Sequence, residues 1–206
     1  MKQNTSFRAI RMGLGISAGL FSIASCAQSN PAPEPAATLN SRTVSEQRAT
    51  AVFASGCFWG TEYYFKRQPG VVATTVGYIG GQVDNPTYKQ VCTGTTGHYE
   101  ATLIEYDPTL VDYETLARLF FETHDPNQQD GQGPDIGPQY RSALFYANEA
   151  EKATAEKLIG LLRAKGNSVA TVLLPSSRFW PAEDYHQDYY DEKGGRPYCH
   201  KYTARF

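Results

Sequence analysis

Residues 51–67 read Ala-Val-Phe-Ala-Ser-Gly-Cys-Phe-Trp-Gly-Thr-Glu-Tyr-Tyr-Phe-Lys-Arg. The apolar run from Ala51 to Ala54 has the length and composition of a buried strand, and Thr61 to Arg67 has a helical pattern. Between them lies Gly56-Cys57-Phe58-Trp59-Gly60, which puts a thiol at a strand-to-helix junction. Unpaired backbone N–H groups and the positive end of the helix dipole favour a thiolate there. Two large rings beside that thiol are poor surface design unless they line a pocket. The flanking glycines let other groups approach the backbone closely, which argues against a plain core cysteine. The stretch therefore points to a nucleophilic sulfur meeting a small, partly apolar substrate.

Further elements follow from this unit. Pro69-Gly70 is a turn, Val71 to Ile79 has strand composition, and Gly80-Gly81 ends it. Gln82 to His98 is a long polar loop of the kind that carries function. Tyr99 to Tyr106 alternates as a strand. Asp112 then caps a helix with Leu116, Leu119 and Phe120 on its apolar face. A second long loop spans His124 to Gln139, and Arg141 to Tyr146 is the next strand. Asn148, with Glu151 three residues on, caps a helix whose buried stripe is Leu158, Ile159, Leu161 and Leu162; Gly166 stops it. Ser168 to Leu174 is a last strand, and Pro175 to Phe206 is aromatic and irregular. The order β-α-β-β-α-β predicts an α+β fold: a two-layer sandwich with a ferredoxin-like core, long irregular loops and an irregular C-terminal segment.

That domain is expected over residues 49–206 of the 206-residue chain. Ahead of it, residues 1–25 carry Lys2, Arg8 and Arg11 and then a small, apolar stretch too short to span a membrane, the pattern of a secretory signal. It ends in Ile23-Ala24-Ser25-Cys26, which looks like a bacterial lipobox with Cys26 as the lipid-bearing residue. Ordinary cleavage after Ala27 is the alternative, leaving a periplasmic or secreted protein. Residues 26–48 are rich in Pro, Ala, Ser and Thr and read as a disordered tether. The expected location is the cell envelope, with the domain in the periplasm and lipid as the sole membrane link. The absence of aspartate after Cys26 favours the outer membrane. Loss of the signal takes the 19 basic residues to 16 against 21 acidic ones, a net charge of −5, so no basic field exists for nucleic acid.

Setting Cys26 aside leaves Cys57, Cys92 and Cys199. Cys57 and Cys199 are either a structural disulfide or a pair that cycles between thiols and disulfide. Cys199 follows Gly194-Gly195-Arg196-Pro197-Tyr198, a flexible arm suited to a resolving thiol that must swing toward a distant sulfur. Cys92 is expected to be packed and inert. Glu100 opens an otherwise apolar strand: half-buried, it would stay protonated near neutral pH and could donate a proton to an oxyanion; at a solvated strand end it would not. Asp135, Tyr88 and Tyr140 are ambiguous from composition alone. None of the four histidines, His98, His124, His186 and His200, shows metal-ligand spacing with the cysteines, and no C-x-x-C occurs.

The motifs Gly56-Cys57-Phe58-Trp59-Gly60, Gly77-Tyr78-Ile79-Gly80-Gly81, Asn85-Pro86-Thr87-Tyr88, Thr95-Thr96-Gly97-His98-Tyr99-Glu100, His124-Asp125-Pro126, Gln139-Tyr140-Arg141-Ser142 and Ala182-Glu183-Asp184-Tyr185-His186-Gln187 occur in that order. In this the chain resembles the A-type peptide methionine sulfoxide reductases over residues 50–200. The resemblance implies reduction of the S epimer of methionine sulfoxide, free or in proteins, by a monomer with no cofactor or metal. It implies Cys57 as nucleophile, Glu100 as proton donor, and Tyr88 and Tyr140 as hydroxyl donors to the sulfoxide oxygen. Phe58 and Trp59 would hold the S-methyl group, and Asp135 a substrate amide. Cys199 would be the recycling cysteine, restored by a thioredoxin-like dithiol. The chain lacks the second recycling cysteine of many relatives. It also has Trp180 before Pro181 where tyrosine is common, a change expected at the pocket rim. A cysteine hydrolase using Cys57 with His98 or His124, and a lipid-tethered binding module with a structural disulfide, are the competing readings.

Overall fold

A computed structural model of the chain describes residues 48–206. The signal segment, Cys26 and all of the tether but its last residue lie outside the described residues. Eight strands are described: β1 Ala49–Ser55, β2 Val71–Ile79, β3 Tyr99–Tyr106, β4 Gly131–Gln132, β5 Asp135–Ile136, β6 Ser142–Tyr146, β7 Val172–Pro175 and β8 Trp180–Pro181. The helices are α1 Phe58–Phe65, α2 Tyr88–Val91, α3 Tyr113–Thr123, α4 Glu149–Ala164 and α5 Tyr189–Lys193.

The main sheet has the order β7-β6-β1-β3-β2-β8. Strands β1 and β2 both pair antiparallel with β3, so they run parallel to each other with β3 between them. That is the split β-α-β arrangement, and β6-β1-β3-β2 is the expected ferredoxin-like core. The added edges are β7, parallel to β6, and β8, antiparallel to β2.

The period-2 pattern of β1 feeds two clusters. Ala51 and Phe53 pack with the helices, against Phe65, Leu116, Phe120 and Leu158, whereas Val52 and Ala54 pack with Ile79, Ala101, Ala143 and Phe145. Phe53 is wholly buried between Phe65 and Phe120, with ring centroids 5.2 Å away on each side. Burying each such side chain contributes about 1.5–3 kcal/mol.

The caps act as their sequences suggest. Asp112 accepts from the Thr115 N–H at 2.7 Å, and Asn148 from the Glu151 N–H at 3.0 Å. Several expectations need correction. Helix α1 begins at Phe58 rather than Thr61, which makes Cys57 its N-cap. The loop before β3 contains α2, closed by a Thr87–Gln90 capping box, and the loop after α3 contains the β4–β5 hairpin. The last strand starts at Val172 rather than Ser168, because Ala170 donates its N–H to the Pro126 carbonyl and Thr171 bonds Ser142. Leu161 is 41% exposed; the buried stripe of α4 is Ala155, Leu158, Ile159 and Leu162. The segment after Pro175 is not wholly irregular, since it adds β8 and α5.

The register determines where chemistry can occur. Tyr78 pairs with Glu100, and Ser55 pairs with Ser142. The C-terminal ends of β1 and β2 therefore meet the N-terminal ends of β3 and β6 at one end of the sheet, where Cys57, Glu100 and Tyr140 cluster. No helix of the described residues is long and apolar enough to cross a membrane.

Candidate active site

Cys57 sits at the mouth of α1 with φ −55° and ψ 120°, not yet helical. Gly56, with φ +103°, makes the turn, and a Cβ on it would overlap Gln132. A Cβ on Gly60 would overlap the ring of His200. The two glycines of the pentapeptide thus admit two side chains against the start of the helix.

A small cleft of about 50 Å³ is lined by Cys57, Phe58, Trp59, Tyr88, Glu100, Asp135, Tyr140 and Tyr198. Every candidate in the described residues lines it except Cys199. The side-chain ligand atoms of Cys57, Asp135 and Cys199 all lie within 4.8 Å of one another. Those three could offer atoms to a soft metal ion, a cluster that spacing in the sequence does not reveal. Cys57, Cys92 and Cys199 are free thiols.

The expected swinging arm is absent. Cys199 is only 6% exposed, its carbonyl accepts from Gln132 Nε2 at 2.8 Å, and it already touches Cys57. Gly194 and Gly195 turn the chain ahead of it, with φ +75° and +91°. Cys92 is exposed rather than packed, because Val91 takes the inward position at the end of α2.

Glu100 is buried rather than half-buried, at 1% exposure. Its Oε2 accepts the Phe58 N–H at 3.2 Å, and its Oε1 is buried without a partner. Burial pushes its carboxyl well above the usual range, and the nearby Cys57 adds to the shift. The hydrogen bond to Cys199 and burial push the Cys57 thiol up; the Trp59 N–H at its sulfur pulls the other way but is outweighed. The expectation of a resting thiolate is thus corrected: beside a second thiol and out of water, the helix terminus does not suffice to ionise it.

The apolar wall is stiff. Trp59 stacks on Tyr189 at 3.7 Å and 7°, and Phe58 packs against Tyr78 at 6.0 Å and His186 at 5.1 Å. Tyr88 and Tyr140 both line the cleft, and burial raises both hydroxyls, Tyr140 to about 12. Both remain O–H donors at neutral pH. Sequence reasoning missed Glu183, which accepts from the Tyr88 N–H and the Tyr78 hydroxyl, each at 2.9 Å. It also missed Tyr198, whose hydroxyl donates to Asp135 at 2.9 Å. Neither declares itself locally, since each matters only through partners far off in the chain. Trp180 is not at the rim; it packs behind Phe58 with Tyr78 and Ala182.

The two histidines of the hydrolase reading are engaged elsewhere. His98 is held by the Val83 carbonyl and the Gly81 N–H, and His124 by the Phe120 carbonyl and Ser142. Neither reaches Cys57.

A sequence model of the family "Peptide methionine sulfoxide reductase" matches residues 49–206. The chain is 49% identical over 150 residues to "Peptide methionine sulfoxide reductase MsrA" of Sulfolobus acidocaldarius, covering 72% of this chain and 85% of that protein. Its fold is similar to that of reduced Mxr1 from Saccharomyces cerevisiae, at 34% identity and TM-score 0.70, over 77% of this chain and 93% of that one. A further structure, Mxr1 in complex with Trx2, matches at 26% identity and TM-score 0.51, over 75% and 89% of the two chains.

Proposed function

The chain belongs to the peptide methionine sulfoxide reductase family and is a peptide-methionine (S)-S-oxide reductase, and from that premise we propose a course for its reaction. The substrate's S-methyl group lies against Phe58 and Trp59, and its oxygen points at Glu100, Tyr88 and Tyr140. Asp135 takes an amide of the substrate. The single observation that carries this reading is the Glu100 carboxyl, which shares the cleft with Cys57 and keeps one buried oxygen unpartnered.

Sulfoxide sulfur is electrophilic only when its oxygen is protonated or strongly hydrogen-bonded. Glu100 gives its proton to that oxygen as Cys57 Sγ bonds to the substrate sulfur, and the thiol proton refills Glu100. Transfer of the oxygen then leaves methionine and a Cys57 sulfenic acid. Cys199 condenses with it, forming the Cys57–Cys199 disulfide and water. A thioredoxin-like dithiol reduces the disulfide and is itself oxidised, in keeping with the Mxr1–Trx2 complex. The chemistry runs on thiols and needs no prosthetic group. The methyl contact contributes only about 1–3 kcal/mol of discrimination, so the direction in which the oxygen must point separates the epimers.

The test is a Cys199→Ser chain given methionine sulfoxide without reductant. One methionine per chain and one oxygen atom gained on Cys57, seen by mass spectrometry, are expected. Methionine formed with Cys57 unmodified would rule out the sulfenic acid.

For the whole chain, the reading is a monomeric repair enzyme for oxidised envelope proteins, held by lipid on Cys26 and a tether. The lipobox-like Ile23-Ala24-Ser25-Cys26 supports it. Mass spectrometry of the mature N-terminus should find a diacylated cysteine; a chain beginning at Gln28 without lipid would contradict the anchor.

A further inference from the structure

Cys199 is followed by a histidine whose ring the fold buries, at 4% exposure, against the thiol it follows. His200 Nδ1 lies 3.2 Å from Cys199 Sγ. On its other side His200 Nε2 lies 3.4 Å from Ser55 Oγ, which is 2.7 Å from Thr61 Oγ1. Burial and the neighbouring His124 hold the ring neutral, so one nitrogen carries hydrogen and the other a lone pair. The thiol is a donor, which assigns the lone pair to Nδ1 and the hydrogen to Nε2, facing Ser55. Room for the ring exists only because residue 60 is glycine.

Disulfide formation makes two demands at this spot. The Cys199 thiol is out of water, where a bare thiolate is costly. The sulfenic oxygen on Cys57 must leave as water, not as hydroxide. We propose that His200 Nδ1 accepts the Cys199 proton during disulfide formation and passes it to the departing oxygen. The Cys199 S–H and the Cys57 S–O bonds break, the S–S and a new O–H bond form, water departs, and the ring returns to its neutral state. The inference rests on Cys199 being the resolving thiol.

The experiment mixes the reduced full chain rapidly with methionine sulfoxide. It follows methionine release, loss of free thiols, and capture of the Cys57 sulfenic acid by dimedone, in wild type, His200→Asn, His200→Ala and Cys199→Ser. Methionine release serves as the control for an intact fold. An asparagine amide oxygen can take the place of Nδ1 and accept the S–H bond, but it cannot hold the proton. The expected result is methionine release within about twofold of wild type in both His200 variants. Disulfide formation in both should be slowed by about 10²-fold, with the dimedone adduct accumulating. A wild-type rate of disulfide formation in His200→Asn would overturn the proposal, whether or not His200→Ala is slow. If neither His200 variant releases methionine, Ser55→Ala provides the test; it should slow the disulfide step, and unchanged kinetics there would also overturn the proposal. Loss of two thiols in Cys199→Ser would instead overturn the underlying assignment of Cys199.

Discussion

Glu100 serves this chemistry only while it holds its proton. Its folded pKa is raised by burial and by Cys57, so the active form is present below that pKa and is lost as pH climbs through it. The rate of methionine release in a single turnover should therefore fall on the alkaline side. Glu100→Gln keeps the shape but has no acidic proton; it should slow release by about 10²–10³-fold and erase that alkaline limb. A Gln variant with the wild-type rate and pH profile would remove the acid from the mechanism. The residue scale is also where sequence reading is strongest and most uneven. Cys57, Phe58 and Trp59 declare themselves by type and adjacency. The burial of Glu100 does not, because it depends on β2 and α1 closing over the start of β3. The ionisation of Cys57 is misread for the same reason, since its neighbour Cys199 is 142 positions away in the chain.

At the scale of elements, α1 and the C-terminal segment fit together through buried polar contacts. Glu62, on the inner face of α1, accepts from the Asp188 N–H at 2.9 Å and the Thr74 hydroxyl at 3.2 Å. Burial and the Asp188 charge raise its pKa from 4.5 to about 7. Between those values the folded chain holds a proton that the unfolded chain has released, so this group's contribution to stability is full below pH 4.5 and falls as pH rises toward 7. Glu62→Gln should remove that loss. Relative to wild type its unfolding free energy in urea should rise between pH 4.5 and 7, by an amount on the order of 3 kcal/mol, and the difference should be flat outside the window. A difference that does not change with pH would show that Glu62 does not titrate there. Gly60→Ala should lower stability by about 1–3 kcal/mol in thermal unfolding, since its methyl must displace the His200 ring. An unchanged melting temperature would mean the ring has room to move. Strands β2 and β3 and the caps Asp112 and Asn148 are legible because local rules place them. Helix α2, the β4–β5 hairpin and β8 are not. They are a few residues long, and tertiary contacts decide them.

The molecule as a whole places reactive groups from distant parts of the chain at one end of a sheet. The core that holds them is aromatic. Phe53→Ala, at the centre of the stack with Phe65 and Phe120, should cost about 3–5 kcal/mol in denaturant unfolding. A loss under about 1 kcal/mol would place the core's strength elsewhere. The fold class is readable from the order of strands and helices, whereas the docking of Cys199 is not. That depends on Gln132, which looks like an ordinary loop residue, and on His200 being the group that approaches Gly60, a partner the sequence does not name. The central claim is that Cys57 and Cys199 together carry two electrons to a sulfoxide. Counting free thiols and released methionine after one exposure of the reduced chain to methionine sulfoxide measures this directly. The account predicts two thiols lost and one methionine gained per chain. A folded chain that yields methionine while both thiols survive would contradict it.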